Sequence, residues 1–296
     1  MIPDGTYGVL LTPFNECGKI EEELFREELN VCSATKTAGL FPCGSTGEFV
    51  YMNMEQKMSA LRITAEMAGD KVLIGGVGAP TEEQTLELLR YIKNIGYEYA
   101  MVCPPYYYPQ KPQDILRYYT YISKKAPEDL TLLIYNIPFC TAEIYLSVLP
   151  QIMDLPNVGG MKDSSGNMVY MAHVISIAEE KNKEFSVFTG QDCSLLPSLA
   201  AGARGCMSAL SWLTDRPVAD ICEAFRNGNI EKAVQLQKSV NLLVRHLDAV
   251  SFPENYRMLA RALGLKMGVP QRHLQNLNEE FYSRWAEKAR YYMAGV

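Results

Sequence analysis

The chain has 296 residues, 48% of them hydrophobic, with 34 acidic against 28 basic side chains and a net charge of −6. No lysine or arginine cluster forms a basic stripe, which argues against a nucleic-acid partner, and no apolar run nears the roughly 18 residues that crossing a membrane requires. The opening "MIPDGTYGVLLTPF" has neither a basic n-region nor a long apolar h-region, so no secretory signal is read there and a cytoplasmic location is expected.

In chain order, short apolar runs read as strands at 6–14, 38–45, 71–78, 97–105, 130–138, 157–163, 185–191 and 203–210. They are near-continuous rather than alternating, the pattern of parallel strands covered on both faces. Helix-period segments fill the gaps. The clearest is "TEEQTLELLRYIKNIG", where Thr81 suits an N-cap, Glu82 and Glu83 the first turn, and Gly96 the stop. Between the seventh and eighth strands, "CSLLPSLAAG" leaves room for a small helix. Eight strands alternating with helices predict an α/β fold, a (β/α)8 TIM barrel, rather than an open doubly wound sheet. After about residue 211 the strands stop, and "RPVADICEAFRNG", "NIEKAVQLQKSVNLLVRHLDAV", "ENYRMLARALG" and "NEEFYSRWAEKARYYMAG" read as helices. With no flexible linker between them, the expected organisation is a catalytic barrel over 1–222 and a C-terminal helical extension over 223–296 packed on it.

In such a barrel the C-terminal ends of the strands and the loops after them form the active face. Here those ends read "GSTGE" (44–48), "PPYYY" (104–108), "YNIP" (135–138), "KDSSGN" (162–167), "TGQD" (189–192) and Ser208. The histidines, His173, His246 and His273, show no metal-ligand spacing, so no metal and no cofactor is expected. The eight cysteines form no C-x-x-C and are too sparse for a disulfide scaffold, which suits free thiols in a reducing cytosol. One lysine among hydroxyls and phenols suits amine catalysis, in which a lysine condenses with a ketone and the iminium serves as an electron sink. Spacing alone leaves alternatives open. Lys162 could be a solvated strand end, "GSTGE" a plain strand-to-helix turn, and Tyr106, Tyr107 and Tyr108 interface packing.

Taken in order, "LLTPF", "GSTGE", "PPYY", "YNIP", "GMKDSSG", "TGQD" and "GARGCMS" resemble the dihydrodipicolinate synthase/N-acetylneuraminate lyase superfamily of pyruvate-dependent aldolases. The resemblance covers the whole chain and implies roles. Lys162 would form the Schiff base with a 2-oxo acid, and Tyr135 would shuttle protons. Ser45 and Thr46 would clamp the 2-oxo acid carboxylate. Tyr107 would be lent to a neighbouring subunit's proton relay through Ser45, within a homotetramer built as a dimer of dimers. Met207 would lie against the pyruvyl methyl. Ser164, Gly190, Asp192 and Ser208 would bind the hydroxylated part of the substrate, as in the sialic acid lyases, with Cys193 where those enzymes carry glutamate.

Two departures bear on substrate. In "YNIPFCT", Cys140 stands where the synthases place the arginine that draws in a semialdehyde carboxylate, and a thiol makes no bidentate charged contact. Lys57, Pro80 and Gln84 stand where lysine-inhibited members have histidine, asparagine and glutamate, so no such feedback site is expected. The leading expectation is a class I aldolase with pyruvate as the carbonyl partner, acting on a 2-keto-3-deoxy sugar acid, 4-hydroxy-2-oxoglutarate or a sialic-acid-like 2-oxo acid. The alternatives are dihydrodipicolinate synthase, a dehydratase acting on a keto-deoxy sugar acid, and a non-catalytic binding member of the fold. Were the semialdehyde the substrate after all, Arg204 would be the first replacement cation to consider.

Overall fold

Each apolar run of the sequence becomes a strand, and prolines trim its end. The computed structural model describes residues 1–214, 216–270 and 279–294. The strands are β1 (Gly5–Val9), β2 (Gly39–Phe41), β3 (Val72–Gly76), β4 (Tyr99–Val102), β5 (Thr131–Asn136), β6 (Val158–Asp163), β7 (Ser186–Thr189) and β8 (Gly205–Ser208). All eight fall where the sequence predicts them, but shorter. Pro13, Pro42, Pro104 and Pro138 lie beyond the observed ends of β1, β2, β4 and β5, where a residue without an N–H cannot continue an interior ladder.

The strands pair in parallel from β1 to β8, and β8 pairs back with β1, closing the barrel. Around it run α1 (Glu22–Ala34), α2 (Met54–Met67), α3 (Glu82–Asn94), α4 (Pro112–Lys125), α5 (Leu149–Met153), α6 (Met168–Glu180) and the short α7 (Leu195–Ala200). The expected cap of α3 is present, with Thr81 Oγ1 accepting from the Gln84 N–H at 3.2 Å. The barrel interior is packed with rings rather than open: Tyr7 meets Phe188 edge-on at 5.4 Å, and Phe41 meets Tyr135 at 6.4 Å.

After β8 come α8 (Leu210–Leu213), α9 (Pro217–Arg226), α10 (Ile230–Leu247), α11 (Glu254–Ala262) and α12 (Glu279–Ala294). Residues 222 and 223, where the sequence reading divides the chain, both lie inside α9. His246 of α10 stacks on Trp285 of α12 at 5.1 Å, and its Nε2 lies 2.9 Å from the Trp285 carbonyl, a packing role. His273 and the outermost residues of the last predicted helix, 278 and 295, lie outside the described residues. Among the described residues no helix is long and apolar enough to cross a membrane.

Two buried side chains tie these C-terminal helices to the barrel mouth. Gln237 of α10 accepts from the Leu196 N–H at 2.8 Å and donates to the Asp192 carbonyl at 2.9 Å. Arg257 of α11 donates to the carbonyls of Met267 at 2.6 Å and Thr12 at 3.1 Å, and pairs with the Glu48 carboxylate.

Candidate active site

Strand register decides which side chains meet at the mouth. β5 and β6 align Tyr135 with Lys162 and Asn136 with Asp163. The second pair is a brace. Asn136 Nδ2 donates to Asp163 Oδ1 at 2.7 Å, while its own Oδ1 accepts from the Ile144 N–H at 3.1 Å. The Ser165 N–H and hydroxyl donate to the same Asp163 carboxylate at 3.1 and 2.9 Å. Burial pushes the Asp163 carboxyl up, and these donors oppose the shift. The strand ends are therefore pinned one residue beyond the pair that faces the cavity.

Lys162 is 4% exposed, and its Nζ lies 4.4 Å from the centre of the Tyr135 ring and 5.2 Å from that of Phe41. Gly190, just after β7, makes room for the lysine side chain. A Cβ at 190 would stand 2.0 Å from Ser164 Oγ and 2.7 Å from Lys162 Cε, so any side chain there displaces the lysine.

A cavity of about 390 Å³ opens over the amine. Of the sequence-predicted residues, Thr46, Tyr135, Lys162 and Met207 line it, and so do Ser164, Gly190, Asp192 and Ser208. Three are not in the lining. Ser45, next to Thr46 in the turn, is half-buried, with its carbonyl accepting from the Glu48 N–H at 3.1 Å. Tyr107 points into solvent, 87% exposed, at a left-handed φ of 78° that a bulky residue rarely adopts. Cys140 is exposed in the turn after β5, where its N–H donates to the Ile137 carbonyl at 2.9 Å, and Phe139 takes the rim instead.

The wall built from the ends of β7 and β8 is polar. Ser208 Oγ donates to Asp192 Oδ1 at 2.5 Å, and the Cys206 thiol lies 3.8 Å from the same oxygen. Burial pushes the Asp192 carboxyl up to about 6, against the pull of these donors and of the Lys162 charge. Gln191 shapes this wall from below, its side-chain amide donating to the Ser164 carbonyl at 2.9 Å.

Sequence reasoning missed the roof. Val244 near the end of α10, Asp248 just after it, Phe252, and Asn255 and Tyr256 of α11 complete the lining, so the helical extension is part of the pocket. The apolar period of "ENYRMLARALG" foretold the helix, but nothing local in it says that its Asn-Tyr end faces a cavity. Among the described residues of the lining, Lys162 is the sole cation, and Asp192 and Asp248 are the acids.

Arg204 offers no replacement charge. It precedes β8, at the opposite end of the barrel, and pairs with Asp4 at 2.8 Å. Lys57 is buried with its ammonium donating to the Gly78 carbonyl at 2.6 Å and 5.4 Å from the Phe49 ring centre, so it too is held outside the cavity.

Comparison with known proteins agrees with this arrangement. Residues 3–289 match the model of the dihydrodipicolinate synthetase family. A 4-hydroxy-tetrahydrodipicolinate synthase of Methanothrix thermoacetophila is 27% identical over 277 residues, 93% of this chain and 92% of that one. The structure of a 2-keto 3-deoxygluconate aldolase from Picrophilus torridus superposes with a TM-score of 0.85 at 27% identity, covering 94% of this chain and all of that one. An N-acetylneuraminate lyase from Mycoplasma synoviae shares the fold, with a TM-score of 0.87 at 24% identity over 98% of each chain. The barrel, its active face and these matches make the chain a class I, pyruvate-dependent lyase, and it belongs to the dihydrodipicolinate synthetase family.

Proposed function

We propose that the protein cleaves, or in reverse forms, the carbon–carbon bond between pyruvate and an uncharged hydroxylated aldehyde, through an imine on Lys162. The observation that carries this reading is the inventory of the cavity. Beyond the lysine its far end offers hydroxyls and a carboxylate, and no second cation among the described residues.

The roles we assign are those the family resemblance implies, applied to these positions. Thr46, with Ser45 beside it in the turn, holds the carboxylate of the 2-oxo acid. The Lys162 amine adds to the ketone carbon, and Tyr135, against whose ring the amine rests, moves protons as water leaves and the iminium forms. Removal of the proton from the hydroxyl on the carbon beyond the scissile bond lets that bond break. The aldehyde departs, and the bonding pair enters the iminium to give an enamine. Protonation of the enamine carbon and hydrolysis return pyruvate and the free amine. Ser164, Asp192 and Ser208 accept or donate to the hydroxyls of the aldehyde portion, and Met207 packs against the pyruvyl methyl.

A carboxylate at the far end would face Asp192 and Asp248 with no guanidinium to offset them, which disfavours aspartate semialdehyde and 4-hydroxy-2-oxoglutarate. A second reading, semialdehyde condensation, is favoured by the name of the Methanothrix relative. A retro-aldol screen over 2-keto-3-deoxy acids, coupled to lactate dehydrogenase to detect released pyruvate, and a parallel measurement of pyruvate consumed with aspartate semialdehyde, separate the two. Turnover of a 2-oxo acid with an uncharged polyol chain supports the proposal, and turnover confined to aspartate semialdehyde with pyruvate overturns it.

A further inference from the structure

The two polar anchors that join the C-terminal helices to the barrel reach different segments of the cavity lining, one after β2 and one after β7. Arg257 reaches the turn that carries Ser45 and Thr46. Gln237 reaches the backbone of Asp192. We infer that Arg257 with Glu48, and Gln237, are positioning residues that hold the two ends of the site separately, the first pair setting the 2-oxo acid end and Gln237 the aldehyde end. This rests on the imine reading given above.

The turn explains why the first anchor is needed. Gly44 and Ser45 offer carbonyls that accept from the N–H groups of Gly47 and Glu48, both at 3.1 Å, so Glu48 closes the loop that presents Thr46. Glu48 does this at φ 60°, a left-handed conformation unfavourable for a residue with a Cβ, which persists only when its surroundings over-determine it. Arg257 is part of those surroundings. Its guanidinium is 1% exposed and pairs with the Glu48 carboxylate, itself 3% exposed. The same group donates to the Thr12 carbonyl, and Thr12 Oγ1 lies where a Cβ on Gly47 would be 3.1 Å away. Arg257 also faces Glu254 at 3.4 Å, and its charge lowers the Glu28 carboxyl that burial has raised. One buried cation on α11 thus holds the turn and β1's exit.

Gln237 has no contact with that turn. Its amide donates to the Asp192 carbonyl and to Asn241 Oδ1 at 2.8 Å, and its oxygen takes the Leu196 N–H. It therefore fixes the backbone under the Asp192 carboxylate and leaves Thr46 untouched.

Misplacing a binding group by about 1 Å costs on the order of a hundredfold, so loosening one anchor should be felt at one end. The test uses the full chain and two constants: the pyruvate concentration that half-saturates borohydride trapping, and the KM for D-glyceraldehyde in condensation. Glu48→Gln and Arg257→Lys, both keeping a hydrogen-bonding group in place, should raise the pyruvate constant roughly tenfold or more and change the glyceraldehyde KM by less than about threefold. Gln237→Met should do the reverse. Arg257→Lys should be less impaired than Arg257→Met, which removes the guanidinium paired with buried Glu48. Constants that move together in every variant, or that do not move, overturn the inference and leave only a structural role. If the unmodified protein neither traps pyruvate nor condenses it with glyceraldehyde, the imine reading itself is overturned, a distinct result.

Discussion

Gly190→Ala is the sharpest perturbation the site allows, because its target is geometric. The added methyl carbon would lie 2.0 Å from Ser164 Oγ and 2.7 Å from Lys162 Cε, whereas ordinary contact begins near 3.4 Å. The Ser164 hydroxyl can rotate away. The lysine has less freedom, since its end is wedged against Tyr135 and Phe41, and its Cε has to retreat by about 0.7 Å. A shift of that size at the reacting amine costs roughly ten- to a hundredfold in rate. The accompanying overpacking should lower stability by about 1–3 kcal/mol, little enough for the barrel to stay folded.

The assay is pseudo-first-order trapping of pyruvate by borohydride, followed by intact mass, with a thermal melt as the control for folding. Trapping should slow at least tenfold while the variant remains folded, and retro-aldol turnover should fall in proportion. A folded variant that traps pyruvate at the unmodified rate would refute the placement of the amine beside Gly190, and with it the role of Lys162.

In the unmodified chain, borohydride with pyruvate should add one reduced pyruvyl group, on the peptide containing Lys162, and Lys162→Ala should melt normally but trap nothing. Cys140→Arg should improve condensation with aspartate semialdehyde by about tenfold, within the roughly 1.5–3 kcal/mol of a charge-assisted contact, and no gain would mean the exposed 140 position does not reach the cavity. Asp192 gives a pH signature: its carboxyl is raised from an ordinary 3.8 to about 6, so between those values the folded chain holds a proton the unfolded chain has lost. Stability therefore falls as pH rises through that window and levels off above it, by on the order of 3 kcal/mol, and urea titrations at pH 4 and 7 should show that loss shrink in Asp192→Asn. Tyr107, 87% exposed on a proline-braced loop, should be covered by a second copy of the chain; sedimentation showing a fully active monomer would remove it from the proton relay.

What could be read in advance and what could not divide along a physical line. Strands could be read because burial on both faces writes itself as a local apolar run, and the chemistry at their ends because it sits within a few residues of each run. Lys162, Tyr135 and Thr46 belong to this class. Strand ends were overdrawn where the apolar run continues past a proline, since hydrophobicity marks burial but not the supply of N–H donors. The contacts that complete the site have no local signature. Arg257 meets Glu48 across 209 residues, and Gln237 meets Asp192 across 45. In the sequence each looks like an ordinary polar residue of a surface helix, and only the folding of α10 and α11 over the mouth turns its side chain inward. The Cys140 argument shows the same limit from the other side. The absence of an arginine there could be read directly, but the conclusion that the far end holds no second cation among the described residues also needed Arg204 at the opposite pole and Lys57 tied to Gly78. Asp248, Phe252 and Tyr256 reach the lining from the C-terminal helices and the loop between them, a part of the chain separate from the strand that carries Lys162. A barrel arranged this way draws its cavity from two sources, strand ends that carry the lysine and a helical extension that roofs it.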